Sequence, residues 1–198
     1  MRIGVIVPST QSAKGELIVN AVREAQPEAE VLNLGCFAND DEQYSYVEVA
    51  LTIALLLHNK VVDFVVTGCS SGQGMMLACN AMPGVLCGYL PTPQDAFLFG
   101  RINAGNAVSL PLGLGFGWAG ELNLKYTVKA LFDGPFGTGY PAEQAERKRK
   151  DTLLLKQLKE HSHKDMAEFL EEVDKELLAE IFRNKNLQGS YQDRLIVA

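Results

Sequence analysis

The sequence predicts an α/β fold: a Rossmann-like, doubly wound sheet of five parallel strands followed by a C-terminal helical extension. Three observations predict it. Apolar, β-branched runs recur at residues 2–7, 30–34, 61–66, 85–89 and 106–110. Each is followed by a segment with helical periodicity, so strand and helix alternate along the chain. The runs are apolar on both faces, the pattern of strands covered by helices on each side of an open parallel sheet.

Taken in order, the first strand leads into a helix over Gln11–Ala25, with Ser9 or Thr10 placed to cap it. The second precedes a helix over Gln43–Leu57. The third runs into the glycine-rich turn Gly68-Cys69-Ser70-Ser71-Gly72-Gln73-Gly74 and a helix over Gln73–Ala81. The fourth precedes a helix over Pro93–Arg101, and the fifth reaches Trp118–Phe132 through a flexible turn around Gly113, Gly115 and Gly117. These elements make one domain over residues 1–140.

After Phe132 the composition changes. The turn-rich hinge "DGPFGTGYP" opens an extension, residues 141–198, with two charged amphipathic helices in "AEQAERKRKDTLLLKQLKE" and "KDMAEFLEEVDKELLAEIF". Helices that leave a core in this way cover a neighbouring subunit or the domain's own flank more often than they bind a membrane, and a neighbouring subunit is the expectation here. The cluster Arg147-Lys148-Arg149-Lys150 reads first as a solvated helix face and second as an anion contact.

Composition excludes several function classes. With 47% hydrophobic and 21% charged residues the chain is that of a globular protein, and no apolar run is long enough to span a bilayer. The run in "MRIGVIVPST" is too short for a signal segment and reads as the first strand, which points to a cytoplasmic protein. Acidic residues outnumber basic ones 24 to 18, for a net charge of -6, which disfavours nucleic acid as a partner. Cys36, Cys69, Cys79 and Cys87 lack the spacing of a zinc site or a disulfide framework and read as reduced thiols. His58, His161 and His163 fall at a helix end and in the extension, where solvated charges are usual.

The turn at residues 68–74 carries the chemistry. In an open α/β sheet, ligands bind beyond the carboxyl ends of the strands, where amides opening the next helix hold negative charge. Gly72 and Gly74 allow the backbone to turn tightly and approach a ligand, and Ser70 and Ser71 can cap the helix or donate to it. No Lys-Ser/Thr pair closes the loop and no acidic ribose partner follows it, so neither the nucleotide P-loop nor the dinucleotide fingerprint is present. Cys69 lies where the helix field and N–H donors favour a thiolate, or, on the plainer reading, is a small buried hydrophobe like Cys36, Cys79 and Cys87. A base beside an anion hole is suited to removing a proton next to a carbonyl. Ser9, Thr10 and Gln11 stand ready for substrate hydroxyls, and Arg101 for a carboxylate, in each case against a plainer structural role.

These residues resemble those of the ribose-5-phosphate isomerase B and galactose-6-phosphate isomerase family of aldose-ketose isomerases, over about residues 1–140. Cys69-Ser70-Ser71-Gly72-Gln73-Gly74 is similar to the family's Cys-Gly-Thr-Gly-x-Gly, Asn80 and Gly84 follow as there, and Asn103 and Asn106 match two asparagines of its His-Asn-Asp-x-Asn stretch. The resemblance implies a cis-enediol mechanism without metal or organic cofactor. Cys69 would be the base, Ser71 would take the place of the family's Thr, and the amides of Ser70 to Gly74 would hold the enediolate. It also implies a homodimer or homotetramer with its site between subunits.

The departures bear on the substrate. Ile102-Asn103-Ala104 replaces His-Asn-Asp, and Val7-Pro8-Ser9-Thr10 lacks the Asp-His pair that follows the family's first strand. The ring-opening and phosphate-contacting histidines are therefore missing, and the phosphate-binding arginines have only Arg147 and Arg149 as counterparts. "VDFVVTGC", "INAGNA", "GFGW" and "GTGYP" resemble a branch associated with isomerising 4-deoxy-L-threo-5-hexosulose uronate, an open-chain substrate that needs neither histidine. A sugar-phosphate isomerase and a catalytically silent sugar-binding module are the other two readings.

Overall fold

Five parallel strands in the order β2-β1-β3-β5-β4 form the sheet of the computed structural model, which describes residues 1–187. The strands are β1 (Arg2–Val5), β2 (Glu30–Asn33), β3 (Phe64–Cys69), β4 (Cys87–Tyr89) and β5 (Ala107–Pro111). The helices between them are α1 (Gly15–Ala25), α2 (Tyr46–His58), α3 (Gln73–Ala81), α4 (Pro93–Leu98) and α5 (Gly120–Leu131).

Side chains alternate across the sheet, as the pleat requires. Phe64 and Val66 face a core built with α1, α4 and α5, whereas Val65 faces a second core built with α2 and α3. The sheet is buried on both sides, which explains why its strands are continuous apolar runs.

Local chemistry sets the helix ends. Gln43–Leu57 was the expected second helix, but α2 begins at Tyr46 because Ser45 caps it: Ser45 Oγ accepts from Val47 N at 3.3 Å, and Glu48 accepts from Ser45 N at 2.6 Å. Residues 9–14 form a 3₁₀ turn ahead of α1, and α4 stops at Leu98, passing into a single π turn over Phe99–Asn103. The Gln73–Ala81 helix has the expected limits.

The extension holds three helices among the described residues rather than two: α6 (Ala145–Ser162), α7 (Met166–Glu172) and α8 (Lys175–Arg183). The second expected helix divides at Asp174, whose carboxylate accepts from Glu176 N at 2.8 Å and starts a new helix. Met166, Leu170, Leu178, Ile181 and Leu187 join the core beside α2, so α7 and α8 cover their own domain's flank. Helix α6 is tied down by Thr152, which donates to the Ile102 carbonyl, and by Lys159, which donates to the Asn80 carbonyl at 2.6 Å. Its Leu153, Leu154, Leu155 and Leu158 are exposed. Residues 188–198 of the expected extension lie outside the described residues.

The strand order fixes where a ligand can lie. The chain leaves β1 toward β2 on one side and resumes at β3 on the other, so the loops after β1 and β3 diverge and open a crevice at their carboxyl ends. Ser9, Thr10, Cys69 and the glycine turn all lie there.

Candidate active site

Cys69 is the last residue of β3 and is partly exposed, unlike the buried Cys36, Cys79 and Cys87. Its carbonyl accepts from Leu112 N at 2.9 Å and from Gly72 N at 3.2 Å, so the strand end is held by the loop after β5 and by its own turn. Gly113 N donates to the Ser70 carbonyl at 2.8 Å, which extends the same join by one residue.

Gly72 has φ of 78°, in the left-handed region, and a Cβ there would come within 2.6 Å of the Tyr89 ring. Only glycine fits both the conformation and the space. Ser109 Oγ donates to the Gly72 carbonyl at 2.6 Å, fixing the turn from the core side. Gly74 brings the backbone close to the ring of Tyr46, about 3.7 Å from where a Cβ would stand. The N-cap of α3 is Gly72, which has no side chain to cap with, and Ser71 Oγ, one residue earlier, accepts from Gln73 N at 3.3 Å. The turn thus uses the amides of Gly72 and Gln73 internally.

Across the crevice, Gln11 Nε2 donates to Ser70 Oγ at 2.9 Å, which joins the loop after β1 to the glycine turn. Gln11, with Ser9 and Thr10, is an expected contact for substrate hydroxyls because it follows the first strand; its bond to Ser70 is what the structure adds. Ser9 bonds to Tyr44 twice: Ser9 N donates to the Tyr44 carbonyl at 3.0 Å, and Ser9 Oγ accepts from Tyr44 N at 2.8 Å. Ser9 therefore anchors the loop before α2, while Thr10 beside it is exposed. Burial pushes the Cys36 thiol up from 9.0 to about 11, with Ser9, Asp40 and Glu48 as smaller influences.

Two expected site residues lie elsewhere. Arg101 is only 5% exposed, and its Nη2 donates to the carbonyls of Leu131 and Gly134. Burial lowers its pKa, and the guanidinium serves to close the π turn onto the end of α5 rather than to meet a carboxylate. Asn106 precedes β5, at the foot of the sheet, whereas the parallel register sets Cys69 beside Pro111 at the head. Its side chain donates to the Gly84 carbonyl at 2.8 Å and accepts from Leu86 N at 2.8 Å, which makes it a loop staple. Asn103 is exposed and lines a cavity of about 450 Å³ with Tyr89, Asp95, Phe99 and Leu155. That cavity follows the free edge of β4 and does not include Cys69, so its size alone does not mark the chemistry.

Among the described residues no group of three or more His, Cys, Asp or Glu is arranged to hold a metal, and no helix is long and apolar enough to cross a membrane. The arrangement combines a partly exposed thiol, hydroxyls on both sides of a crevice and a turn opening a helix. Such a set can take a proton from carbon and support the oxyanion that results.

Comparison with known proteins agrees. Residues 4–149 match the family model for ribose/galactose isomerases. The fold superposes on a crystal structure of 4-deoxy-L-threo-5-hexosulose-uronate ketol-isomerase complexed with tartrate, with a TM-score of 0.89 and 39% identity over 95% of this chain and 90% of that one. It also superposes on ribose-5-phosphate isomerase from Vibrio parahaemolyticus, with a TM-score of 0.87 and 36% identity over 98% of this chain and 91% of that one. Type B ribose 5-phosphate isomerase from Trypanosoma cruzi, at 23% identity and a TM-score of 0.64 over 82% of this chain and 100% of that one, shares the fold. No curated protein sequence matches the chain. Matched over most of its length, the chain is a sugar isomerase and belongs to the ribose/galactose isomerase family.

Proposed function

We propose that the protein is an aldose-ketose isomerase acting through a cis-enediol on an open-chain uronate such as 4-deoxy-L-threo-5-hexosulose uronate. The observation that carries the chemistry is the position of Cys69, partly exposed at the head of β3 and one turn ahead of α3. Its thiolate takes the proton from the carbon next to the carbonyl, and the electron pair moves onto the carbonyl oxygen to give the enediolate. The hydroxyls of Ser70 and Ser71 and the amides of Ser71 and Gly74 support that oxygen. The same sulfur returns the proton to the neighbouring carbon, while a proton passes between the two oxygens.

The uronate is favoured because Ile102 stands where a ring-opening histidine is expected, and an aliphatic side chain transfers no proton. The uronate isomerase to which the chain is similar adds support. A sugar phosphate is the second reading, favoured by the ribose-5-phosphate isomerase at 36% identity and by the basic cluster on α6. Three of those four cations have local partners: Arg147 pairs with Asp151 at 3.1 Å, Lys150 with Glu146 at 2.8 Å, and Arg149 donates to the Thr138 carbonyl at 2.9 Å. Asn103 and the leucines of α6 are exposed in one chain and suit contact with a second copy in a homodimer or homotetramer.

Comparing kcat/KM for the open-chain uronate, ribose 5-phosphate and galactose 6-phosphate tests the substrate. The uronate is expected to lead by at least tenfold. A lead for either phosphorylated sugar moves the assignment to the second reading.

A further inference from the structure

Lys14 closes the 3₁₀ turn after β1, and its half-buried ammonium has three neighbours within the protein. It donates to the Leu112 carbonyl at 2.9 Å and to Gln11 Oε1 at 3.3 Å, and it lies 4.3 Å from the centroid of the Phe116 ring. An ammonium donates and never accepts, so the Gln11 atom that faces it must be the carbonyl oxygen. The amide is thereby oriented with Nε2 toward Ser70, where it donates to Oγ at 2.9 Å. Gln11 is buried, which limits the access of water to its amide.

The direction of this chain of bonds decides what Ser70 can do. A hydroxyl oxygen that accepts from an amide keeps its own proton to give. Ser70 is exposed and directly follows Cys69, so that proton is presented at the crevice. We propose that Lys14 and Gln11 are positioning residues that hold Ser70 as a hydrogen-bond donor to the substrate oxygen beside Cys69. The inference rests on the reading of Cys69 as the base. As Cys69 removes the proton from carbon, charge grows on that oxygen, and a donor fixed in advance stabilises it without reorganising. Lys14 acts through Gln11: held by Leu112, Gln11 and Phe116, its ammonium sets the polarity of the relay.

Gln11→Glu tests the polarity with little change of shape. The introduced carboxylate still accepts from Lys14 but has no proton for Ser70. Ser70 must then donate to it and turn its proton away from the crevice. Isomerisation is measured for wild type, Gln11→Glu, Ser70→Ala and the double variant, together with thermal unfolding. Each single change is expected to lower kcat about 10²-fold with a smaller change in KM. The double variant should be no slower than Ser70→Ala, because both changes remove one donor. Gln11→Glu should unfold near the wild-type temperature, because the ion pair with Lys14 keeps the turn closed. Additive losses would assign the effect to the added charge and overturn the inference, as would a wild-type kcat in Gln11→Glu. A wild-type protein that isomerises no sugar overturns the reading of the site itself, a result distinct from failure of the relay alone.

Discussion

Asn80 grips the backbone of Cys87 with both ends of its side-chain amide: Nδ2 donates to the Cys87 carbonyl at 2.8 Å, and Oδ1 accepts from Cys87 N at 3.0 Å. Among the described residues strand β4 is paired only with β5, and the asparagine bonds its outer edge. Asn80→Leu removes the partners of one donor and one acceptor on the buried Cys87. A loss of about 2–4 kcal/mol is expected, read from urea unfolding. Asn80→Asp should lose less, because the carboxylate still accepts from Cys87 N.

Gly72 combines a left-handed backbone with a crowded position in the turn. Gly72→Ala places a left-handed residue against the Tyr89 ring and the Leu110 carbonyl carbon, at 2.6 and 3.0 Å from the new Cβ. Strain and overpacking together cost about 2–5 kcal/mol. The displaced turn should also lower kcat by more than Ser71→Ala does. Calorimetry and steady-state kinetics on both variants check this.

The buried Cys36 thiol gives a pH dependence with a definite sign. Its pKa rises from 9.0 to about 11 on folding because burial disfavours the thiolate. Between those values the folded chain keeps a proton that the unfolded chain has lost, so the contribution is present below pH 9 and is lost as pH rises toward 11. Its size is at most about 2–3 kcal/mol. Stability measured from pH 8 to 11 should fall less steeply in Cys36→Ala than in wild type.

Much of the fold was legible because its sheet is covered on both faces, which turns every strand into an apolar run that local sequence displays. The order of those strands was not: β5 lies between β3 and β4, and only long-range packing decides that. Helix limits failed where a side chain overruled periodicity, as Ser45 and Glu48 do at α2 and Asp174 does within the extension. At the site, the glycine turn announced itself through Gly72 and Gly74. Asn106 and Arg101 misled because a polar residue near a strand or helix end looks the same whether it faces a ligand or a backbone carbonyl. Gln11 was legible as a candidate from its place after the first strand, but its link to Ser70 and the part played by Lys14 were not, since Ser70 and Leu112 lie far along the chain.

The central claim is that Cys69 moves the carbon-bound proton, and proton NMR in D2O tests it directly. Wild-type protein and Cys69→Ala are each incubated with the open-chain uronate, and deuterium at the carbon next to the carbonyl is followed together with ketose formation. Ready incorporation and turnover by wild type are predicted, with both reduced at least 10³-fold in a folded Cys69→Ala protein, in line with loss of a positioned base. Exchange and turnover that survive in Cys69→Ala would contradict the account and pass the base to another residue of the crevice.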